Sequence, residues 1–175
     1  MAKNDLEGVV LRAVIFDVNN NIPLIRHRSG WFGLPGGHIK KNEVGEGIEL
    51  ISDKIPLPLI REVHEECVKL DISKDKSACL GLVETNVTFG NNDPQHLTAV
   101  IYVVKHPEII NIGNSKRLIL TSLDNLPAPL FPDAQKTFDR LKAGGKGTIF
   151  PEFLNRESTS IANFEMSSRI IGYTS

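Results

Sequence analysis

The chain has 175 residues, and its 41% hydrophobic and 23% charged residues are typical of a single soluble globular domain. Its 20 basic and 21 acidic side chains give a net charge of −1 without a basic run, which argues against a nucleic-acid polymer as partner. Two cysteines without a metal-binding spacing, and apolar runs far shorter than the roughly 20 residues of a membrane helix, predict a cytoplasmic protein without structural zinc or a membrane span.

The first part of the chain predicts two strands and a glycine-rich loop. Residues 9–16 form an apolar, β-branched run interrupted only by Arg12, and residues 22–28 return as a second strand. Residues 29–37 hold four glycines and a proline, which is too many for a regular element. Arg26 and Arg28 would share one side of the second strand directly before this loop, where they would either contact phosphate oxygens or face solvent.

The second part alternates helices with strands. Strands are predicted over 80–89, 97–105 and 117–121. A helix is predicted within 56–70, since prolines at 56 and 58 are tolerated in a first turn, and a second helix over 132–143. This interleaving predicts one α/β domain, and the role of the polar tail, including a homodimer built through it, stays open.

Three carboxylates lie at helical spacing in the first predicted helix. Glu62, Glu65 and Glu66 occupy positions i, i+3 and i+4, and so share one face. Like charges at this spacing repel, and a divalent cation would reverse the sign of that interaction. Oxygen donors without Cys or His favour Mg²⁺ or Mn²⁺ over zinc. An acidic turn taken alone is more often a solvated surface.

The context of this acidic turn resembles the Nudix box. The pattern runs Gly, five residues, Glu, seven residues, Arg-Glu, an aliphatic residue, any residue, Glu-Glu, any residue, Gly and a second aliphatic residue. The matching residues are Gly37, Glu43, Arg61, Glu62, Val63, Glu65 and Glu66, preceded by Leu34-Pro35-Gly36, which is also typical of that family. The resemblance covers residues 8–143 and implies a single domain with the Nudix-type α/β/α sandwich and its mixed β-sheet, followed by a C-terminal extension over 144–175.

Two departures from the pattern stand out. Seventeen residues separate Glu43 from Arg61 where the pattern has seven, so ten residues within 44–60 are extra. After the glutamates, the glycine of the pattern is Val68 and its aliphatic residue is Lys69, which predicts that the helix continues to Leu70.

The resemblance implies a metal site. Glu62, Glu65 and Glu66, together with the backbone carbonyl of Gly36, would hold one to three Mg²⁺ or Mn²⁺ ions against a diphosphate. Glycine at 36 and 37 would let the backbone approach closely. Arg61 would orient Glu43 as in the family; the alternative is a surface pair with Glu65.

The general base and the substrate contacts are less closely defined. Glu65 or Glu62 could serve as the base, and so could Glu108, the only glutamate in the segment after residues 97–105. Glu84 would lie on a strand face that lines a pocket or faces solvent. Trp31 would stack on a base or plug the loop from beneath.

The function implied by the resemblance is metal-dependent hydrolysis of a nucleoside diphosphate linked to another moiety. A pyrophosphate linkage is shielded by its own charge, so its hydrolysis needs bridging cations and an activated water. A nucleoside triphosphate, cleaved to monophosphate and pyrophosphate, is the first candidate because the chain is short and shows no extra substrate domain. The alternatives are ADP-ribose, a nucleotide sugar or a dinucleoside polyphosphate, and, from another class, a non-catalytic nucleotide sensor.

Overall fold

The computed structural model describes residues 5–43, 54–67, 70–87 and 95–143, and these residues form seven strands and two α-helices. The strands are β1 (Asp5–Phe16), β2 (Ile22–Arg26), β3 (Phe32–Gly33), β4 (Gly36–Lys40), β5 (Lys76–Val87), β6 (Gln95–Lys105) and β7 (Leu118–Thr121). The helices are α1 (Leu57–Glu66) and α2 (Pro132–Ala143), and a single 3₁₀ turn, Lys41–Glu43, follows β4. The extension over 144–175, with its open role and homodimer, and most of the extra residues within 44–60 lie outside the described residues.

The strands form two sheets. The larger sheet has the order β4-β1-β6-β5, in which β1 and β6 run parallel, from Val9 opposite Thr98 to Phe16 opposite Lys105. Its outer pairs are antiparallel, so the sheet is mixed, as predicted. The smaller antiparallel sheet has the order β3-β2-β7. This mixed sheet with two helices confirms the predicted α/β/α sandwich.

The core lies around β1 and β6, and both faces of these strands are buried. Successive residues from Val10 to Ile15, apart from Arg12, are at most 1% exposed, which explains why this strand reads as a continuous apolar run. Helix α1 packs against β4 and β1 through Leu59 and Val63, and α2 packs against β5 and β3. Burying Leu59 and Val63 stabilises the fold by about 1.5–3 kcal/mol per side chain, and it leaves the carboxylates at the side of α1. Within the described residues no helix is long and apolar enough to cross a membrane.

The structure corrects the predictions for the glycine-rich segment and for the end of the strand before it. The prediction of a loop over 29–37 was wrong in two places. The short strand β3 pairs with β2 in the middle of this segment, and β4 begins at Gly36 and pairs with β1, with Gly37 opposite Leu11. The prediction that Arg26 and Arg28 share one side of a strand was also wrong. Strand β2 ends at Arg26, and the His27 amide donates to the Trp31 carbonyl oxygen at 2.8 Å, so the chain has already turned when it reaches Arg28.

Two further boundaries differ from the prediction. Helix α1 ends at Glu66 rather than continuing to Leu70: Cys67 has ψ 78°, outside the helical range, although its amide still donates to the Val63 carbonyl oxygen at 2.7 Å. The start of α1 after Pro56, with Pro58 in the first turn, agrees with the proline argument. Strand β5 begins at Lys76, four residues before the predicted start, and the predicted end at residues 88–89 lies outside the described residues.

Candidate active site

The start of β4 lies between two carboxylates of α1. The Gly36 amide donates to Oε2 of Glu66 at 2.8 Å. The carboxylate of Glu62 occupies the space into which a Cβ on Gly37 would project. Only a residue without a side chain fits at position 37 while Glu62 stays in place, so the glycine and the two glutamates form one assembly.

Gly36 is required by its own backbone geometry. Its φ is +136°, a conformation that side-chain-bearing residues rarely adopt, and a Cβ there would overlap the Leu11 carbonyl oxygen of the neighbouring strand. The Gly36 carbonyl oxygen accepts a hydrogen bond of 2.8 Å from Nη1 of Arg12. Both polar groups of Gly36 are therefore held in place, one by α1 and one by β1.

Arg61 connects the 3₁₀ turn to the acidic face of α1. Its guanidinium donates to both carboxylate oxygens of Glu43, at 2.7 and 3.0 Å, and also to Glu62. Glu65 lies 3.5 Å from Nη1, so the alternative pairing with Glu65 is present as well, in a looser form. The Lys40 amide donates to Glu43 at 2.8 Å. Glu43 is thus fixed from two sides, and Arg61 spans three carboxylates.

These contacts shift the pKa values of Glu66, Glu43 and Arg61. Burial raises the pKa of Glu66, and the nearby charge of Glu62 adds to that rise, while the Gly36 amide and Arg12 oppose it. The hydrogen bonds from Arg61 hold the pKa of Glu43 below its usual range, and the same contacts raise the pKa of Arg61. Glu66 is consequently a shielded carboxylate beside a like charge, an environment that a cation would relieve.

The donor set fits a divalent cation in its chemistry. Three carboxylates and a backbone carbonyl are hard oxygen ligands of the kind that Mg²⁺ and Mn²⁺ prefer. Among the described residues, however, no three His, Cys, Asp or Glu side chains converge closely enough to hold a metal. Arg61 donates to Glu62 and lies 3.5 Å from Glu65, so two of the three carboxylates share one cationic partner.

Comparison with known proteins identifies the fold through solved structures. No family model and no curated protein matches the chain. The structure is similar to a MutT NUDIX hydrolase from Burkholderia pseudomallei, at 23% identity and TM-score 0.51, over 77% of this chain and 98% of that chain. The chain has the Nudix fold.

Two other solved structures agree with this fold. An E. coli dihydroneopterin triphosphate pyrophosphohydrolase matches at 14% identity and TM-score 0.54, over 82% of this chain and 100% of that one. An ADP-ribose pyrophosphatase from Streptococcus suis matches at 21% identity and TM-score 0.51, over 89% and 97%. The Nudix fold implied by the resemblance is thereby confirmed.

Sequence reasoning missed one polar group of this Nudix fold, Arg12. Its Nε lies 2.9 Å from Oδ2 of Asp133, whose side chain is only 4% exposed, while its Nη1 holds Gly36. The pair joins β1 to the first turn of α2. Arg12 was the only charged residue within an otherwise apolar run, and that interruption was the signal available in the sequence.

Two of the predicted substrate contacts, Trp31 and Arg26, are at least partly exposed. The ring of Trp31 lies 5.8 Å from that of Phe131, which also meets His27 edge-on at 4.7 Å, and 40% of Trp31 stays exposed. One part of Trp31 therefore packs, while another part remains available for stacking. Arg26 is exposed at the end of β2.

Glu84 and Glu108 do not contact the carboxylates of α1 within the described residues. Oε1 of Glu84 lies 3.8 Å from Nε2 of His96 on the neighbouring strand β6. Glu108 lines a cavity of about 480 Å³ together with Cys67 and His106. The structure therefore groups Glu43, Arg61, Glu62, Glu65, Glu66, Gly36 and Gly37, and places Glu84 and Glu108 apart from them.

Proposed function

We propose that the protein is a metal-dependent pyrophosphohydrolase that cleaves the diphosphate linkage of a nucleoside diphosphate derivative, with a nucleoside triphosphate as first candidate. The observation that carries this proposal is the position of the Gly36-Gly37 backbone between the carboxylates of Glu62 and Glu66. A structural role alone does not call for a buried carboxylate beside a second one, because such a pair is costly without a compensating charge.

Glu62, Glu65, Glu66 and the carbonyl oxygen of Gly36 would hold Mg²⁺ or Mn²⁺. When bound, such an ion neutralises the diphosphate and makes water a better nucleophile. Arg61 positions Glu62 through its hydrogen bond, and Glu43 in turn anchors Arg61. This places the orientation of the acidic face under the control of the 3₁₀ turn that follows β4.

Glu65 is the best candidate for the general base. Its side chain is 57% exposed, and the one contact that holds it among the described residues is the 3.5 Å approach of Arg61, so it can reach a water molecule at the rim of the site. Glu62, at 17% exposed, is more firmly held and is the alternative. Glu108 would need to reach the site from the cavity wall, and it ranks third.

Several observations bear on the substrate. Trp31 offers a partly exposed ring for a nucleobase, and Arg26 offers a guanidinium for phosphate oxygens. The similar structures include a dihydroneopterin triphosphate pyrophosphohydrolase and an ADP-ribose pyrophosphatase. ADP-ribose, nucleotide sugars and dinucleoside polyphosphates are therefore the second candidates, and a non-catalytic nucleotide sensor is the alternative outside catalysis.

A substrate panel tests the proposal. The full chain is incubated with nucleoside triphosphates, ADP-ribose, nucleotide sugars and dinucleoside polyphosphates, each with Mg²⁺, with Mn²⁺ and with chelator, and the products are identified by chromatography. Release of a nucleoside monophosphate that chelator abolishes supports the proposal and names the substrate. No turnover, combined with a nucleotide-induced rise in melting temperature, supports the sensor instead.

A further inference from the structure

Two arginines face each other across the smaller sheet. The β2–β7 register runs from Ile22 opposite Thr121 to Ile25 opposite Leu118, and its next step brings Arg26 opposite Arg117. The Arg26 amide donates to the Arg117 carbonyl oxygen at 2.6 Å, which shows that the pairing continues to this point. Directly opposed residues of an antiparallel pair project from the same face. The side chains of Arg26 and Arg117 therefore leave the same face of the sheet from opposed positions.

Neither arginine of this pair has a direct ion-pair partner among the described residues. Both residues are exposed, and neither forms an ion pair with a described carboxylate. Lys116 adds a third exposed positive charge next to Arg117. Like charges directly opposite each other destabilise a sheet. The chain as a whole carries a net charge of −1, so this concentration of positive charge is local.

Arg117 lies within electrostatic reach of the candidate active site. After burial, the positive charges of Arg12 and Arg117 are the causes that lower the pKa of His27, which packs on Phe131 beside Trp31. Arg117 also acts on Glu66, the carboxylate that holds Gly36. Along the chain, Arg26 directly precedes the turn that leads through β3 to β4.

We propose that Arg26 and Arg117 form a phosphate subsite that receives the polyphosphate chain of the substrate and selects triphosphates over substrates with a single diphosphate. Each guanidinium group offers a fork of N–H donors that can bind two phosphate oxygens, so two arginines on one face can bind neighbouring phosphates. A bound polyphosphate replaces the repulsion between the arginines with attraction. The selection of triphosphates rests on the proposed function, whereas the anion binding does not.

The variant Arg117→Gln tests the subsite, and Lys116→Gln is its matched control, because it removes the same charge one residue away. Inorganic tripolyphosphate in chelator is the probe, measured by calorimetry and by melting temperature. We expect Arg117→Gln to weaken tripolyphosphate binding about tenfold or more, the scale of one charge-assisted contact. Without the probe, its melting temperature should equal or exceed that of the wild type, because a repulsion is removed. Lys116→Gln should bind as the wild type does.

Kinetics give a second measurement that a merely structural arginine would not affect. For a triphosphate substrate, Arg117→Gln should raise KM about tenfold and leave kcat within about twofold, the signature of a lost binding contact. For ADP-ribose its KM should stay unchanged.

Three results would overturn the subsite. They are unaltered tripolyphosphate binding in Arg117→Gln, an equal loss in Lys116→Gln, and a fall in the melting temperature of Arg117→Gln together with the loss of binding. The proposed function can fail separately, because a chain that turns over no substrate still reports on tripolyphosphate.

Discussion

The amide of Gly36 and the carboxylate of Glu66 are joined by a hydrogen bond of 2.8 Å, which ties the edge strand β4 to the last turn of α1. Burial raises the pKa of this carboxylate. The hydrogen bond from Gly36 and the positive charge of Arg12 oppose that rise, because both stabilise the ionised form. The contact therefore fixes the proposed metal ligand Glu66 in a shielded position, and none of the described lysines and arginines forms an ion pair with it.

Replacing Gly37 by alanine should damage the site more than the fold. The added Cβ overlaps the carboxylate of Glu62, which must move, whereas the backbone at Gly37 is not in the left-handed region. We expect apparent affinity for Mn²⁺ or Mg²⁺ to fall about 10–100-fold, the usual scale for disturbing a ligand. Metal titration by calorimetry measures this.

Gly30→Ala is the control for that variant. Its Cβ would meet nothing within 4 Å, but its φ of +86° is strained for alanine, so it should cost about 1 kcal/mol of stability. Its metal affinity should match the wild type. Equal metal affinity in Gly37→Ala and the wild type would show that Glu62 is not a ligand.

Removing the carboxylate of Glu43 should lower stability in a pH-dependent way. Because Arg61 lowers the pKa of Glu43, the stabilisation is present above the unfolded pKa, about 4.3, and is lost as pH falls through the lower folded pKa. We expect Glu43→Gln to unfold about 1 kcal/mol more easily at pH 7, since the pair is partly exposed. Urea unfolding from pH 7 to pH 3 measures the difference, which should shrink below pH 4; a constant difference would contradict the ion-pair account.

Arg12 and Asp133 should show strong energetic coupling. Asp133 is 4% exposed, so Arg12→Met leaves a buried carboxylate without its partner and should cost about 3–5 kcal/mol. The double variant Arg12→Met with Asp133→Leu removes both charges and should recover a large part of that loss. A double-mutant cycle by urea unfolding measures the coupling. Additive effects would mean that the pair contributes nothing as a unit.

Asp17 should be the main stabiliser of the turn between β1 and β2. Its carboxylate accepts hydrogen bonds from the amides of Asn19, Asn21 and Ile110, at 2.8 to 3.1 Å. Burial raises its pKa, but the bonds from Asn21 and Ile110 outweigh burial and lower it overall. We expect Asp17→Ala to cost about 2–3 kcal/mol at pH 7, and the wild-type advantage should disappear as pH falls below the lowered pKa.

The exposed Asp71, which accepts one bond from the Ser73 amide at 2.9 Å, provides the comparison for Asp17. Asp71→Ala should change the free energy of unfolding by less than about 0.5 kcal/mol. If the two variants were equally stable, the buried hydrogen bonds of Asp17 would not be significant for the turn.

Much of the fold and of the acidic face could be predicted because it depends on local periodicity. The spacing of Glu62, Glu65 and Glu66 sets their common face once α1 exists, and the apolar runs of β1 and β6 mark central strands. Strand β4 was missed because its glycines read as a loop. Its pairing depends on Leu11 and Arg12, residues remote along the chain, rather than on its own propensity.

Contacts distant in sequence were beyond prediction for the same reason. Arg12 and Asp133 lie 121 residues apart, and nothing in either segment specifies the other. The Arg26–Arg117 pair likewise follows from the register between β2 and β7, which a single sequence does not specify. The strand predicted from the sequence ran to residue 28 and put Arg26 and Arg28 on one side. Because β2 ends at Arg26, Arg28 lies outside the strand.

The most direct test of the central claim compares turnover by Glu65→Gln with turnover by Asp139→Asn, each on the best substrate of the panel with Mg²⁺. Asp139 is an exposed residue of α2 that accepts a hydrogen bond from Gln135 at 2.8 Å, so its variant controls for the loss of one surface charge. The account predicts that Glu65→Gln loses two or more orders of magnitude in kcat, roughly the scale of a lost base or ligand, with an unchanged melting temperature, and that Asp139→Asn keeps full activity. Nearly full activity in Glu65→Gln would remove this glutamate from the chemistry and contradict the account.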